Sequence, residues 1–319
     1  MVLNATEGVV SLLLLILCGY VLYRRPWFGE TGTGILSKFV VNVSIPFYMT
    51  YNVYTTFEGR EQLLELFKAL PIPLFTILVS LAAGVALSRL FHIDVKRRGV
   101  FINSCAFCNA VIVGFPVVQS LLGPEAMPEA MIYYMGNTIL FWSVGVYFLR
   151  RDSDPDVRFF SLANLRKIFS PAINMFLLGC ALVVFNVTIP HFIFSPLEMV
   201  SKTTTPLAMI FIGCVIRSTD FRAMPFSKDL AIILVSRFLF SPLLMFLVCV
   251  ALPIPAQTKL VFFIFATMPA MTQLGIMARE SGSDYHFASV VVGLTTLLSI
   301  LAIPLYMALV QYAHLFGAA

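Results

Sequence analysis

Charge is what this 319-residue sequence has least of. Asp, Glu, Lys and Arg make up 12% of it, half the roughly 25% usual in soluble domains. Hydrophobic residues make up 59% and mean hydropathy is +0.92. So little charge cannot solvate a water-facing surface, which excludes a soluble enzyme or binding module. Polar stretches long enough for a separate soluble domain are lacking too. The net charge of +5 would suggest nucleic acid in a soluble protein. Here the basic residues sort by loop, which points to a lipid bilayer and to no nucleic acid.

Chemistry-bearing clusters are equally scarce. The six cysteines (18, 105, 108, 180, 214, 249) all fall in apolar runs. Cys105 and Cys108 form a CxxC without a second ligand pair, so they read as small packing residues, with no metal and no cofactor. No Asp or Glu is read deep in a run, and His92, His191, His286 and His314 lie away from run centres, so no intramembrane proton relay stands out. Without a paired serine and histidine within the runs, an enzyme is not expected.

What is present is a succession of apolar runs, each near the roughly 20 residues that span hydrocarbon. Ten are read, at about 6–23, 33–55, 69–90, 99–122, 128–149, 168–187, 193–216, 229–252, 258–278 and 286–313. The first carries Glu7, lacks a basic start and is followed by Arg24 and Arg25, which suits an anchored helix better than a cleaved leader. Loops after the odd-numbered runs hold fifteen of the 21 Lys and Arg residues, and even-numbered loops hold three, Arg60, Lys68 and Lys259. The positive-inside rule then sets both termini away from the cytoplasm. The basic stretch 151–167 becomes a cytoplasmic linker between a first half, 1–150, and a second, 168–319.

The halves echo each other. "ILSK" (35–38) matches "MVSK" (199–202), "TILVS" (76–80) matches "IILVS" (232–236), "VFI" (100–102) matches "VFF" (261–263), and "GNT" (136–138) matches "GLT" (293–295). Five runs per half is an odd number, so the expected fold is an all-α polytopic membrane protein of ten transmembrane helices, built as two inverted five-helix repeats. Two runs carry residues unsuited to a helix interior: "FCNAVIVGFPVVQS" (107–120) and "FATMPAMTQLGIMAR" (265–279). Gly114 and Pro116 in the fourth run, with Pro269 and Gly275 in the ninth, predict broken helices that cross. Backbone freed by a break must line a cavity or pack against protein. Half-helix N-termini pointing inward would favour an anion.

At these residues the chain resembles the auxin efflux carrier family, in its short prokaryote-like form, with a more distant similarity to bile acid:sodium symporters. Asn109, Gly114 and Pro116 follow the family's "GN…G-x-P" pattern, although the usual glycine after the asparagine is absent. "GNTILFWSVGV", "TPLAMIFIGCVI" and "ATMPAMTQLGIMARESG" resemble its other motifs, with Gln273 where asparagine is common. The resemblance implies a scaffold of helices one, two, six and seven, a moving domain made of the rest, and elevator-like transport of small organic anions such as auxin, malate or malonate. The long central loop of many plant auxin exporters is missing. A homodimer is an allowed assembly.

Individual residues sort accordingly. Asn109 and Gln273 flank the presumed crossing and are expected to contact substrate, with Asn137. Arg237, well inside the eighth run, either binds substrate or bonds to carbonyls freed by a neighbouring break. Asn42, Pro46, Thr205 and Pro206 are expected on the scaffold side, and Lys38 and Lys202 near run starts, where long side chains snorkel. The reading is a secondary carrier for a small organic anion in the plasma membrane. A sodium-coupled symporter, with sodium held by amides and freed carbonyls, is one alternative; a receptor or sensor on a carrier fold is the other. The coupling ion, Na+ or H+, is left open.

Overall fold

The computed structural model describes residues 2–57, 59–151, 169–219 and 227–312, with side chains from Ser11 to Val310. The proposed linker beyond Arg151 and the extreme C-terminus lie outside the described residues. The described chain is all α, and its one extended contact is an antiparallel bridge between Cys108 and Ala270.

The expectation of ten spanning helices in two inverted repeats does not hold. Among the described residues five helices are long and apolar enough to cross a membrane: Arg60–Leu90, Pro124–Arg151, His191–Ser218, Lys228–Ala251 and Tyr285–Val310. Ala110–Leu122, Pro171–Val184 and Ala256–Ala266 are apolar but shorter. At 1.5 Å per residue such pieces cover only about half to two thirds of a hydrocarbon core about 30 Å thick. The reason is that hydropathy adds across interruptions. The run at 99–122 is the tail of a helix, Val95–Ala106, followed after a gap by a second piece. The run at 258–278 is likewise two pieces, Ala256–Ala266 and Gln273–Glu280. The helix over 29–56 is long enough, but it opens on the polar sequence "GETGTGILSK".

Two compact units divide the chain, and each draws on both halves of the sequence. Unit one holds Met1–Ala69, Val111–Ile132 and Phe169–Ser218; unit two holds Leu70–Ala110, Tyr133–Ile168 and Thr219–Ala319. In unit one, Val2–Leu22 crosses Thr204–Ser218 at a pair of glycines. A Cβ on Gly19 would stand 1.9 Å from the carbonyl oxygen of Ile210, and one on Gly213 would stand 1.9 Å from that of Ile16. Backbones can approach this closely only without side chains, the usual device where apolar association alone cannot drive helices together in lipid. Nearby, Thr50 Oγ1 donates to Met175 O at 2.7 Å, joining Ile45–Thr56 to Pro171–Val184. In unit two, Gly84 of Pro71–Leu90 leaves room for Ile102 and Cys105 of Val95–Ala106.

Among the described residues four π turns interrupt these helices, and the sequence accounts for three. Val40–Ser44, Ala110–Gly114 and Ser236–Phe240 each end two residues before a proline: Pro46, Pro116 and Pro242. A proline has no N–H to offer the carbonyl four residues back, and its ring crowds that carbonyl. A wider i→i+5 turn relieves the crowding. At Phe238, the carbonyl freed by Pro242, the Tyr306 hydroxyl supplies the donor instead. The fourth, Phe141–Gly145, has no such proline. There Asn103 Nδ2 donates to Gly145 O at 3.0 Å and to Gly99 O at 2.7 Å, so an inserted amide opens the turn.

The glycine crossing gives a direct test. Gly213→Ala should destabilise the protein by about 1–3 kcal/mol through overpacking. Gly275→Ala, where a Cβ would meet only Ser289 Oγ at 3.6 Å, should be close to neutral. Thermal unfolding of both variants in detergent checks the contrast, and equal melting temperatures would refute the crossing geometry.

Candidate functional site

The polar centre of unit two is built where two helices stop short. Val95–Ala106 begins with Asp94, whose side chain accepts from Lys96 N, and ends at Phe107 in an extended conformation. No glycine or proline stands at that end. Ala256–Ala266 stops before "TMPAMT", and Gln273–Glu280 begins after it. The two extended stretches run antiparallel. Asn109 N donates to Pro269 O at 2.8 Å, and Met271 N donates to Phe107 O at 3.3 Å.

Side chains close both outer edges of this bridge. Asn137, fully buried, accepts from Cys108 N at 3.2 Å through Oδ1 and donates to Cys108 O at 3.3 Å through Nδ2, so its amide acts as a third strand. On the other side Ala270 N donates to Thr295 Oγ1 at 3.2 Å, while that hydroxyl donates to Val291 O at 2.7 Å within its own helix. Two short extended segments in an apolar protein would otherwise leave peptide groups without partners, at about 1–3 kcal/mol each.

Arg237 completes the arrangement. It sits on the π turn Ser236–Phe240 with 0% exposure, and no carboxylate pairs with it among the described residues. Its Nε donates to Met268 O at 2.8 Å and its Nη1 to Cys105 O at 3.3 Å. Both carbonyls lie at the C-terminal end of a stopped helix, where partial negative charge gathers. One guanidinium thus answers two helix ends.

Asn109 is 5% exposed, and its Nδ2 hydrogen-bonds to Thr272 Oγ1. Gln273 follows at once, half-buried as the first residue of Gln273–Glu280, whose opening turn is tied by Leu274 N donating to Met271 O at 3.1 Å. An amide and a hydroxyl therefore meet beside a helix start whose first residue carries a second amide. Such donors can hold an anion. They do not make a nucleophile and base pair.

The residues singled out from sequence fall in two places. Asn109, Asn137, Arg237, Pro269, Gln273 and Gly275 belong to unit two, and all but Gly275 sit in or beside the bridge. Gly275 is the third residue of a regular helix. Gly114 and Pro116 belong to unit one with Asn42, Pro46, Thr205 and Pro206. The fourth run therefore opens at Phe107–Asn109, before Gly114 and Pro116; Gly114 closes a π turn in right-handed helical conformation, and Pro116 is second in the next helix. Asn42 is exposed and donates to Lys38 O on its own helix, and Thr205 Oγ1 donates to Gln119 Oε1 at 2.8 Å. Sequence reasoning missed Thr272, Thr295 and Asn103. Hydroxyls in apolar runs look like ordinary packing residues, and only their distance in the chain from the groups they meet makes them matter.

The membrane transport protein family matches residues 4–307. The chain belongs to that family. An uncharacterized transporter of Methanothermobacter thermautotrophicus is 27% identical over 314 residues, covering 95% of this chain and 98% of the relative. An uncharacterized transporter of Methanocaldococcus jannaschii is 25% identical over 307 residues, covering 94% and 97%. As a membrane transport protein the chain is a transporter rather than an enzyme, in keeping with the absence of catalytic machinery read from its sequence.

Arg237→Gln should unfold this bridge rather than simply weaken a ligand. The shorter amide cannot reach both Met268 O and Cys105 O, and each orphaned carbonyl costs about 1–3 kcal/mol. Thermal unfolding in detergent without ligand is the measurement. A variant as stable as the parent would show that the two carbonyls do not depend on the guanidinium.

Proposed function

We propose that the protein is a secondary carrier for a small organic anion, a carboxylate, related to the auxin efflux carriers and acting in the plasma membrane by elevator-like alternating access. The observation that carries this reading is the donor set at the bridge. Asn109, Thr272 and Gln273 stand at or beside the start of Gln273–Glu280, no ion pair to an acidic side chain involves Arg237 among the described residues, and its guanidinium brings positive charge to the bridge. A carboxylate entering an apolar protein loses its hydration and must regain it from such groups. The elevator mechanism is supported by the division into two compact units. Unit one contains the stretches assigned to a scaffold by resemblance, together with Val111–Ile132. Arg237 acts in this reading by positioning the bridge, and Asn137 by supporting it.

A sodium-coupled symporter is the weaker reading. Freed carbonyls would have to hold the ion, yet those of Cys105, Cys108, Met268 and Pro269 already accept from protein donors, two of them from a cation.

Ligand-induced stabilisation of the purified protein should be screened with acetate, malonate, malate, indole-3-acetate and matched organic cations. A carboxylate should bind, with the same affinity when choline replaces sodium. Asn109→Ala should weaken it about ten- to a hundredfold, the value of one charge-assisted hydrogen bond. A cationic best ligand would overturn the electrostatic argument. Wild-type affinity in both Asn109→Ala and Gln273→Ala would move the site elsewhere.

Orientation follows from the basic residues: both termini face away from the cytoplasm. Single cysteines at positions 4 and 318, in a cysteine-free background, should react with an impermeant reagent in intact cells. Protection until lysis would reverse the topology.

A further inference from the structure

Two arginines from different helices of unit one meet over a single tyrosine. Val2–Leu22 and Thr204–Ser218 cross at Gly19 and Gly213, where Cys214 Sγ also contacts Gly19 O at 3.3 Å. Tyr20 follows Gly19 at this crossing, and Arg217 stands one turn beyond Gly213. The guanidinium carbon of Arg217 lies 5.7 Å from the centroid of the Tyr20 ring. Arg24, one turn after Tyr20 on its own chain segment, brings its guanidinium carbon to 5.4 Å from the same centroid. Both distances lie in the cation–π range. One ring thus gathers two like charges.

Like charges so placed repel each other unless an anion accompanies them. Helix polarity explains part of the arrangement, since Arg217 is in the last turn of Thr204–Ser218 and Arg24 follows the end of Val2–Leu22. It does not require both guanidiniums on one ring. Among the described residues neither forms an ion pair. Glu30 and Arg217 both act on the Tyr23 hydroxyl at longer range, yet Glu30 pairs with neither arginine. Both arginines are exposed, and a guanidinium over a ring keeps its in-plane N–H groups for other acceptors. Such planar forks fit phosphate oxygens. What leads up to them is apolar. Leu14, Leu17 and Val21 are 62%, 56% and 46% exposed, and with Arg24 they recur three, four and three residues apart, which is one face of a helix. Trp27 follows at 75% exposure, a residue type enriched where hydrocarbon meets water. An exposed apolar stripe that ends in two cations has the order of a phospholipid, acyl chain and then phosphate.

We propose that Arg24 and Arg217 together hold the phosphate of an acidic phospholipid whose acyl chain lies along Leu14, Leu17 and Val21. Tyr20 keeps both guanidiniums at one level, and the phosphate supplies the negative charge that no side chain brings. The lipid is acidic rather than zwitterionic, because a choline headgroup would add a third cation beside two arginines. It is a lipid rather than free phosphate, because only a lipid uses the apolar stripe. In the orientation set by the basic loops both arginines face the cytoplasm, the side on which acidic lipids attract basic residues next to a span. The bound phosphate ties the end of Val2–Leu22 to the end of Thr204–Ser218, so it reinforces the glycine crossing. All of these residues belong to unit one, and the site stands whatever anion the protein carries.

The full-length protein in neutral detergent is titrated with phosphatidylglycerol, phosphatidylcholine or inorganic phosphate, and binding is read by native mass spectrometry and thermal unfolding. Phosphatidylglycerol should be retained and should raise the melting temperature. Phosphatidylcholine and inorganic phosphate at the same concentration should do neither. The double variant Arg24→Gln, Arg217→Gln should lose at least tenfold in affinity for phosphatidylglycerol. Arg24→Lys with Arg217→Lys should bind between that variant and wild type and still prefer phosphatidylglycerol, which separates charge from folding. Arg25→Gln, which removes a neighbouring exposed charge outside the pair, should bind as wild type does. A loss in Arg25→Gln as large as in the double Gln variant would reduce the site to a diffuse basic surface and overturn the proposal. Wild-type phosphatidylglycerol affinity in the double Gln variant would overturn it too, as would equal retention of the two lipids. Stabilisation by inorganic phosphate alone would refute the lipid as occupant.

Discussion

A backbone in hydrocarbon has no water to satisfy it, and the structure depends on that constraint more than on any single contact. A helix discharges the obligation internally, and wherever a helix stops the obligation returns. In unit two it returns twice, at Phe107–Asn109 and at Thr267–Thr272, and each stretch answers part of the other's need through the bridge between Cys108 and Ala270. What the bridge leaves over is met by Asn137, Thr295 and Arg237, which come from three separate helices. The bridge therefore binds those helices together. A polar centre that looks at first like a binding site is also what fixes the helices around it.

The same constraint explains why polar side chains gather where regular structure fails. Pro46, Pro116 and Pro242 each remove a donor and widen the preceding turn, and the Tyr306 hydroxyl shows how a freed carbonyl draws in a side chain from elsewhere. Asn103 opens a turn without any proline, by donating into it. Irregularity in these helices is thus produced locally by imino acids and remotely by amides. Only the first cause leaves a mark beside the irregular turn in the sequence.

That difference decides what could be read in advance. Membrane residence was legible because charge scarcity is a sum over the chain, and Pro269 marked the second interruption because its cause lies at the spot. The first interruption, in "CAFCN", contains no breaker. Its location depends on Asn137, twenty-nine residues away, pairing with the Cys108 peptide, and Gly114 and Pro116 drew attention to a turn several residues too late. The count of spans failed for a related reason. A hydropathy window adds apolar residues without asking whether one helix carries them, so two short pieces score as one span. Glu198 was overlooked within the run at 193–216, which begins "IFSPL", since one acid among aromatics and aliphatics scarcely lowers the window.

The two polar centres differ in a way that bears on transport. At the bridge of unit two the principal donors are amides, a hydroxyl and a guanidinium already committed to two carbonyls, so this centre can hold an anion but offers no carboxylate to take up a proton. In unit one the pair Glu198–Lys202 is exposed, opposite in sign and one helical turn apart, with the Tyr51 hydroxyl beside it, and it ties no backbone group in place. In the proposed carrier the geometry that selects the ligand can stay rigid, because none of the groups holding the bridge together has to gain or lose a proton.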